Sequence, residues 1–196
     1  MTAPFPVRET AAFLPAEAAA VSAAFAGAEV ILEYGAGGST RMAAAMPGKV
    51  VYSVESDPDW IQHVAQELEG CAAQVVLHHA DIGPTRAWGY PAQPGRMASW
   101  PGYALSIWDR PDFRHPDVVL IDGRFRPACF LTTLFRIVRP VTVLWDDYTD
   151  RALYHFVEDF CPKTDSVGRM AIFTAQPMAV PADQLGLIIS TFLRPQ

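Results

Sequence analysis

Short runs of apolar and β-branched residues punctuate the chain at Val30–Leu32, Val50–Val54, Gln74–Leu77, Asp117–Ile121 and Val141–Trp145. Each is too short for a helix and is bounded by glycine, proline or acidic residues, a combination that reads as a strand. The run DVVLI at 117–121 is continuous rather than alternating, as in strands buried on both faces. Helical stretches fill the intervals. PAEAAAVSAAFAGA, from Pro15, has a proline in its first turn, many alanines and Gly27 to end it. Asp57-Pro58-Asp59-Trp60 opens a helix running to about Leu68, with acids where the helix dipole favours them. Pro127–Val138, Asp150–Phe160 and Pro181–Phe192 are the later helices, and the segments around Ser166–Ala175 supply the last one or two strands. Such alternation predicts an α/β domain with a parallel sheet covered by helices.

Two stretches escape the pattern. Residues 1–14 form an N-terminal arm, proline-rich at its start, ahead of a single domain over 15–196. Residues 82–116 mix prolines, glycines and aromatics without periodicity, and a long irregular connection in a compact domain is usually functional. Within it Tyr103–Asp109 reads as a short helix, while Trp88, Tyr90 and Trp100 are candidate walls of a substrate pocket.

The candidate chemistry concentrates between Val30 and Asp59. The first strand runs through Glu33 into a turn carrying Gly35, Gly37 and Gly38, and the second ends on Glu55. Glycines at alternating positions allow positive φ and close approach of a ligand, and an acid at the end of the second strand can accept hydrogen bonds from a ribose diol. Ser39 and Thr40 stand where hydroxyls cap a helix or meet a cofactor carboxylate. The dinucleotide fingerprint requires Gly or Ala where this chain has Thr40, and no phosphate-binding G-x-x-x-x-G-K-[ST] occurs. Ligands of open α/β sheets bind at the carboxyl ends of strands. That rule brings in Asp122 after the fourth strand, with Arg124 and Arg126 following, and Asp146, Asp147 and Tyr148 after the fifth.

Composition narrows the classes. A chain of 196 residues with 51% hydrophobic and 18% charged residues is globular. Its net charge of -6 disfavours non-specific nucleic-acid binding. Three widely spaced cysteines form no disulfide framework or C-x-x-C pair, which suits a reducing cytoplasm. No apolar run approaches the roughly 20 residues that span a bilayer. Oligomeric state is left open, a homo-oligomer included.

The order acid, x, Gly, x, Gly in Glu33-Tyr34-Gly35-Ala36-Gly37 resembles the first motif of the class I S-adenosylmethionine-dependent methyltransferases. LEYGAGGST together with VLIDGRFR and WDDY looks like the small bacterial members of that superfamily whose substrates are uncharacterised. The resemblance implies a doubly wound Rossmann-like fold with a mostly parallel seven-stranded sheet and helices on both faces. It implies cofactor contacts from Glu33, Gly35, Gly37, Gly38, Ser39, Glu55 and Asp81, the last at the place of an adenine-contacting acid. It also implies methyl transfer to an oxygen of a small molecule, with Asp122 or Asp147 as base and Trp88, Tyr90, Arg124, Arg126 and Tyr148 facing the acceptor. In metal-dependent O-methyltransferases, acids matching Asp122, Asp146 and Asp147 hold a divalent ion, so Mg²⁺ enters as an expectation. A [DN]-P-P-[YFW] element is absent, which lowers DNA and protein-amine substrates. Two alternatives stay open: a cofactor-binding module without catalysis, and an NAD(P)-dependent oxidoreductase built on the same half-site.

Overall fold

The structure, a computed structural model, describes residues 13–196. The expected arm at 1–14 therefore lies outside the described residues, apart from Phe13 and Leu14. In chain order the elements are α1 (Pro15–Gly27), β1 (Val30–Tyr34), α2 (Gly38–Ala44), β2 (Val50–Glu55), α3 (Pro58–Glu67) and β3 (Gln74–His79). A small ribbon of β4 (Thr85–Arg86) and β5 (Tyr90–Pro91) follows, then α4 (Gly102–Leu105), β6 (Val118–Ile121), α5 (Arg126–Arg136) and β7 (Val141–Trp145). The chain closes with β8 (Asp165–Val167), β9 (Met170–Ala175) and α6 (Leu185–Thr191).

Seven strands form one sheet in the order β3-β2-β1-β6-β7-β9-β8, with β9 antiparallel to its neighbours. The expected mostly parallel seven-stranded sheet is thus present. Strand order reverses between β1 and β6, so their carboxyl ends part to leave a crevice there. The last two strands are a hairpin with Val167 paired to Met170 and Gly168, at φ +59°, in the first turn position. A Gly-X pair suits a two-residue turn of this kind.

Every residue of β1 is buried, because alternate side chains serve opposite faces. Leu32, Tyr34, Tyr52, Ile121 and Trp145 join a core completed by α5 and the segment 100–108. Ile31, Val51, Leu120 and Leu144 join a second core beneath Val21 and Phe25 of α1 and Ala43 of α2. Asp117 pins the sheet at its other end. Its carboxylate accepts from the Glu29 and Val30 N–H groups at 2.8 and 2.9 Å and pairs with Arg139 at 2.6 Å.

Two expectations change. The irregular stretch 82–116 supplies much of the core rather than only a pocket wall: Trp100, Tyr103, Ile107 and Trp108 are buried. Its helical pieces are α4 and 3-10 turns at 87–89, 94–99 and 106–109. Trp100, read as a pocket residue, packs instead on Phe125 with ring centroids 5.8 Å apart. The stretch read as a helix over 150–160 winds as a 3-10 helix at Ala152–Asp159. It holds Tyr154 against Trp145 at a centroid distance of 5.2 Å.

Candidate functional site

A cleft of about 900 Å³ opens at the carboxyl ends of β1, β2, β6 and β7. Its floor is the crossing of two turns. Gly35 takes φ +103°, and a Cβ there would stand 2.8 Å from both Cα and N of Gly123. A Cβ on Gly123 would stand 2.9 Å from the Gly35 nitrogen and 2.0 Å from the Tyr103 hydroxyl. Glycine at each position lets the turn after β1 and the turn after β6 approach back to back.

The turn at 35–38 is braced from below. Glu33 points into the sheet's α2 face and is 1% exposed. It accepts hydrogen bonds from the hydroxyls of Ser39, Thr40 and Ser53, the last its cross-strand partner at 2.7 Å. Thr40 Oγ1 in turn accepts the Gly37 N–H at 2.8 Å. Burial raises the Glu33 pKa against the pull of those hydroxyls. Trp60 braces the turn from the α3 side by donating its indole N–H to the Ala36 carbonyl at 2.8 Å.

Glu55 ends β2 at the cleft wall. Its Oε1 accepts the N–H groups of Ser56 and Asp57 at 2.6 and 3.0 Å, and no hydrogen bond among the described residues engages Oε2. Burial raises its pKa, and the two N–H bonds oppose that rise. The β4–β5 ribbon leans on this corner: the Gly89 carbonyl accepts from the Ser56 hydroxyl at 3.1 Å. The ribbon carries Arg86, Trp88 and Tyr90 into the cleft lining. Trp88 is 60% exposed and holds a left-handed φ of +69°.

Across the crevice the acids meet arginines. Asp122 lies 3.2 Å from Arg126, and Asp147 lies 2.6 Å from Arg151 and 2.9 Å from Arg169. Asp146 reaches Arg169 at 3.4 Å. Arg126 is 3% exposed and also donates to the main-chain carbonyls of Gly123, Asp146 and Asp122, so it ties the ends of β6 and β7 together. Burial raises the Asp122 pKa to about 7; Arg126 opposes the rise, and Asp146 and Asp147 add to it. Burial and the adjacent Asp147 likewise raise Asp146.

Of the residues singled out above, the cleft brings together Gly35, Gly37, Gly38, Ser39, Glu55, Trp88, Tyr90, Asp122, Arg124, Arg126, Asp146 and Asp147. Glu33 lies beneath the turn, and the Ser39 hydroxyl is turned inward onto it. Asp81 lies outside the lining, where it accepts the Gly83 N–H and faces Arg96 at 3.6 Å. Tyr148 also lies outside the lining. It is fully buried among Trp145, Tyr154 and Phe173, with its hydroxyl on Glu158 at 2.9 Å. The expected metal set does not form. The three carboxylates are engaged by guanidiniums, and among the described residues no group of three or more His, Cys, Asp or Glu is placed to hold an ion. The sequence reading missed Arg151 and Arg169. Arg151 sits four residues after Asp147, a pairing distance visible in the sequence, whereas Arg169 arrives on the β8–β9 turn from across the sheet.

A methyltransferase-like protein from Silicibacter pomeroyi, whose crystal structure is known, is 45% identical to this chain. The match covers 96% of this chain and 99% of that one, with a TM-score of 0.92. The chain belongs to the class I S-adenosylmethionine-dependent methyltransferase superfamily. A tRNA methyltransferase from Aquifex aeolicus shares the fold alone: 10% identity, 85% of this chain and 70% of the other chain, TM-score 0.51. No protein-family model matches this chain, and no curated protein matches it.

The site fits the superfamily's cofactor by the chemistry of its donors. The glycine turn leaves space above the floor, and Glu55 offers an unengaged carboxylate oxygen at one wall. No helix among the described residues is long and apolar enough to cross a membrane.

Proposed function

We propose that this protein is an S-adenosylmethionine-dependent methyltransferase acting on a hydroxyl of a small molecule. Glu55 is the observation that carries the proposal. Two N–H groups aim its carboxylate, and its second oxygen stays open at the cleft wall beside the glycine turn. A pair of ribose hydroxyls is the ligand chemistry that such an oxygen serves. The turn at Gly35–Gly38 would hold the amino-acid end of the cofactor, and the β4–β5 ribbon with Trp88 and Tyr90 would cover the other end and the acceptor.

Bound S-adenosylmethionine supplies a methyl group already activated on a sulfonium. The protein's share is positioning and proton removal. Asp122 stands at the switch point, raised to about 7, a value suited to taking a proton from an acceptor hydroxyl near neutral pH. Arg126 fixes that carboxylate from the buried side and steadies the negative charge once the proton has left.

Titration calorimetry with S-adenosylmethionine and S-adenosylhomocysteine tests the proposal. Binding is expected for the wild-type protein, with a loss of at least tenfold in Glu55→Ala, about 1.4 kcal/mol or more. Failure of either compound to bind, or undiminished binding by Glu55→Ala, overturns it.

A further inference from the structure

We propose that the methyl acceptor is an anion, a carboxylate or a phosphate ester, and that Arg124 receives its charge. The inference rests on the methyltransferase reading and specifies what that site accepts.

Among the described residues six arginines line the cleft, and five are occupied. Arg41 pairs with Glu67, Arg126 with Asp122, Arg151 with Asp147, and Arg169 with Asp146 and Asp147. Arg86 lies over the Tyr90 ring at 4.6 Å. The Arg124 guanidinium makes no hydrogen bond and no ion pair among the described residues, and its Nε is buried without a partner. A buried donor left unmade is costly, more so on a charged group. A counter-charge on the open Nη groups would offset that cost.

The surroundings hold Arg124 in place. Its main-chain N–H donates to the Tyr103 hydroxyl at 3.2 Å, and its carbonyl faces the Cys129 thiol at 3.5 Å. Phe125, next in the chain, takes a left-handed φ of +52°, which turns the backbone sharply between Arg124 and α5. Burial and the neighbouring Arg126 lower the Arg124 pKa, and the weaker pulls of Tyr103, Tyr154 and Asp122 do not offset them. Asp122 is two residues away but faces Arg126 instead. The two Nη groups, which are not buried, present parallel N–H bonds, a fork that matches the oxygens of a carboxylate or phosphate. An anion held there would lie beside Asp122, which places a hydroxyl of the same molecule within reach of the base.

The test uses the wild-type protein labelled with ¹⁵N and saturated with S-adenosylhomocysteine. The Arg124 Nε–Hε signal is identified by its absence from Arg124→Lys, then followed through titrations with inorganic phosphate, acetate and, as a control, chloride. A saturable shift with phosphate or acetate, absent with chloride, is expected. The stronger of the two names the ligand class. Arg124→Gln should bind S-adenosylhomocysteine within twofold of wild type and should turn over an anionic hydroxyl acceptor at least tenfold less well than its neutral amide counterpart. An unmoved signal in a protein that binds S-adenosylhomocysteine overturns this inference alone. A tenfold loss of S-adenosylhomocysteine affinity in Arg124→Gln assigns the arginine to the cofactor and overturns it too. A wild-type protein that binds no S-adenosylhomocysteine overturns both this inference and the methyltransferase reading beneath it.

Discussion

Asp122 holds its proton to about pH 7 because the loop that carries it is buried and two more carboxylates stand nearby, and Arg126 recovers only part of that rise. In the proposed role of base it works only once deprotonated. For an acceptor hydroxyl that does not itself titrate in the range, kcat/KM should climb about tenfold per pH unit below 7 and level off above it. Asp122→Asn should lower kcat by about 10²–10⁴-fold and flatten that limb; an unchanged limb in the variant would assign the titration to another group. The same shift has a consequence for stability with a definite sign. A carboxyl raised in the fold binds its proton more tightly folded than unfolded, so its contribution weakens as pH climbs from the ordinary carboxylate range to about 7. Asp122→Asn should remove that decline, measurable as a smaller drop in Tm between pH 5 and pH 8.

At the scale of elements, the turns after β1 and β6 act as one unit because Gly35 and Gly123 meet back to back. Gly123→Ala should destabilise the protein by about 2 kcal/mol or more, since overpacking against backbone relaxes poorly. Adding Tyr103→Phe removes the hydroxyl 2.0 Å from the new methyl but leaves the Gly35 nitrogen at 2.9 Å and the Tyr34 carbonyl carbon at 3.0 Å, so only part of the loss should return. Urea unfolding of the single and double variants measures both; full recovery would show that the two turns are free to separate. This contact was legible in the sequence only by halves. A glycine after an acid-ended strand announces the first turn, and IDG announces the second. Their meeting depends on β1 pairing with β6 across a crossover of more than eighty residues. The strands were readable because each is a continuous apolar run between breakers. The stretch 82–116 was not, because Trp100, Tyr103 and Trp108 are buried by non-local contacts that leave no period in the chain. Glu33 likewise sits in the glycine-turn motif, yet strand alternation turns it away from the cleft lining and onto Ser39, Thr40 and Ser53.

Across the whole molecule, charge fastens the sheet at both ends. At the cleft end Arg126, Arg151 and Arg169 bind the acids of β6 and β7, and the Arg169 main chain also donates to buried Glu17 of α1 at 2.9 Å. At the far end Asp117 joins the start of β6 to the start of β1, 87 residues apart. Burial by itself would push the Asp117 carboxyl up, but the N–H groups of Val30 and Glu29 and the Arg139 guanidinium outweigh it and hold the pKa below its ordinary value. A carboxyl depressed in the fold stabilises above its unfolded pKa and loses that contribution as pH falls through the folded one. Asp117→Asn should therefore cost about 1.5–3 kcal/mol at pH 7, the range for a hydrogen bond to a charged group. The difference from wild type should shrink as the pH falls from the ordinary carboxylate value, about 4, through the lower folded one, below which the wild-type carboxyl is itself protonated. Denaturant titrations at pH 7 and at pH 3 check this. A gap between the two proteins that stays constant across that interval would mean that the shape of the side chain, rather than its charge, holds the strands together. Asp122 and Asp146 behave oppositely, because both are raised rather than depressed. One sheet is thus charge-stabilised at its closed end and held at some cost at its open end, where the proposed base must both keep and release a proton.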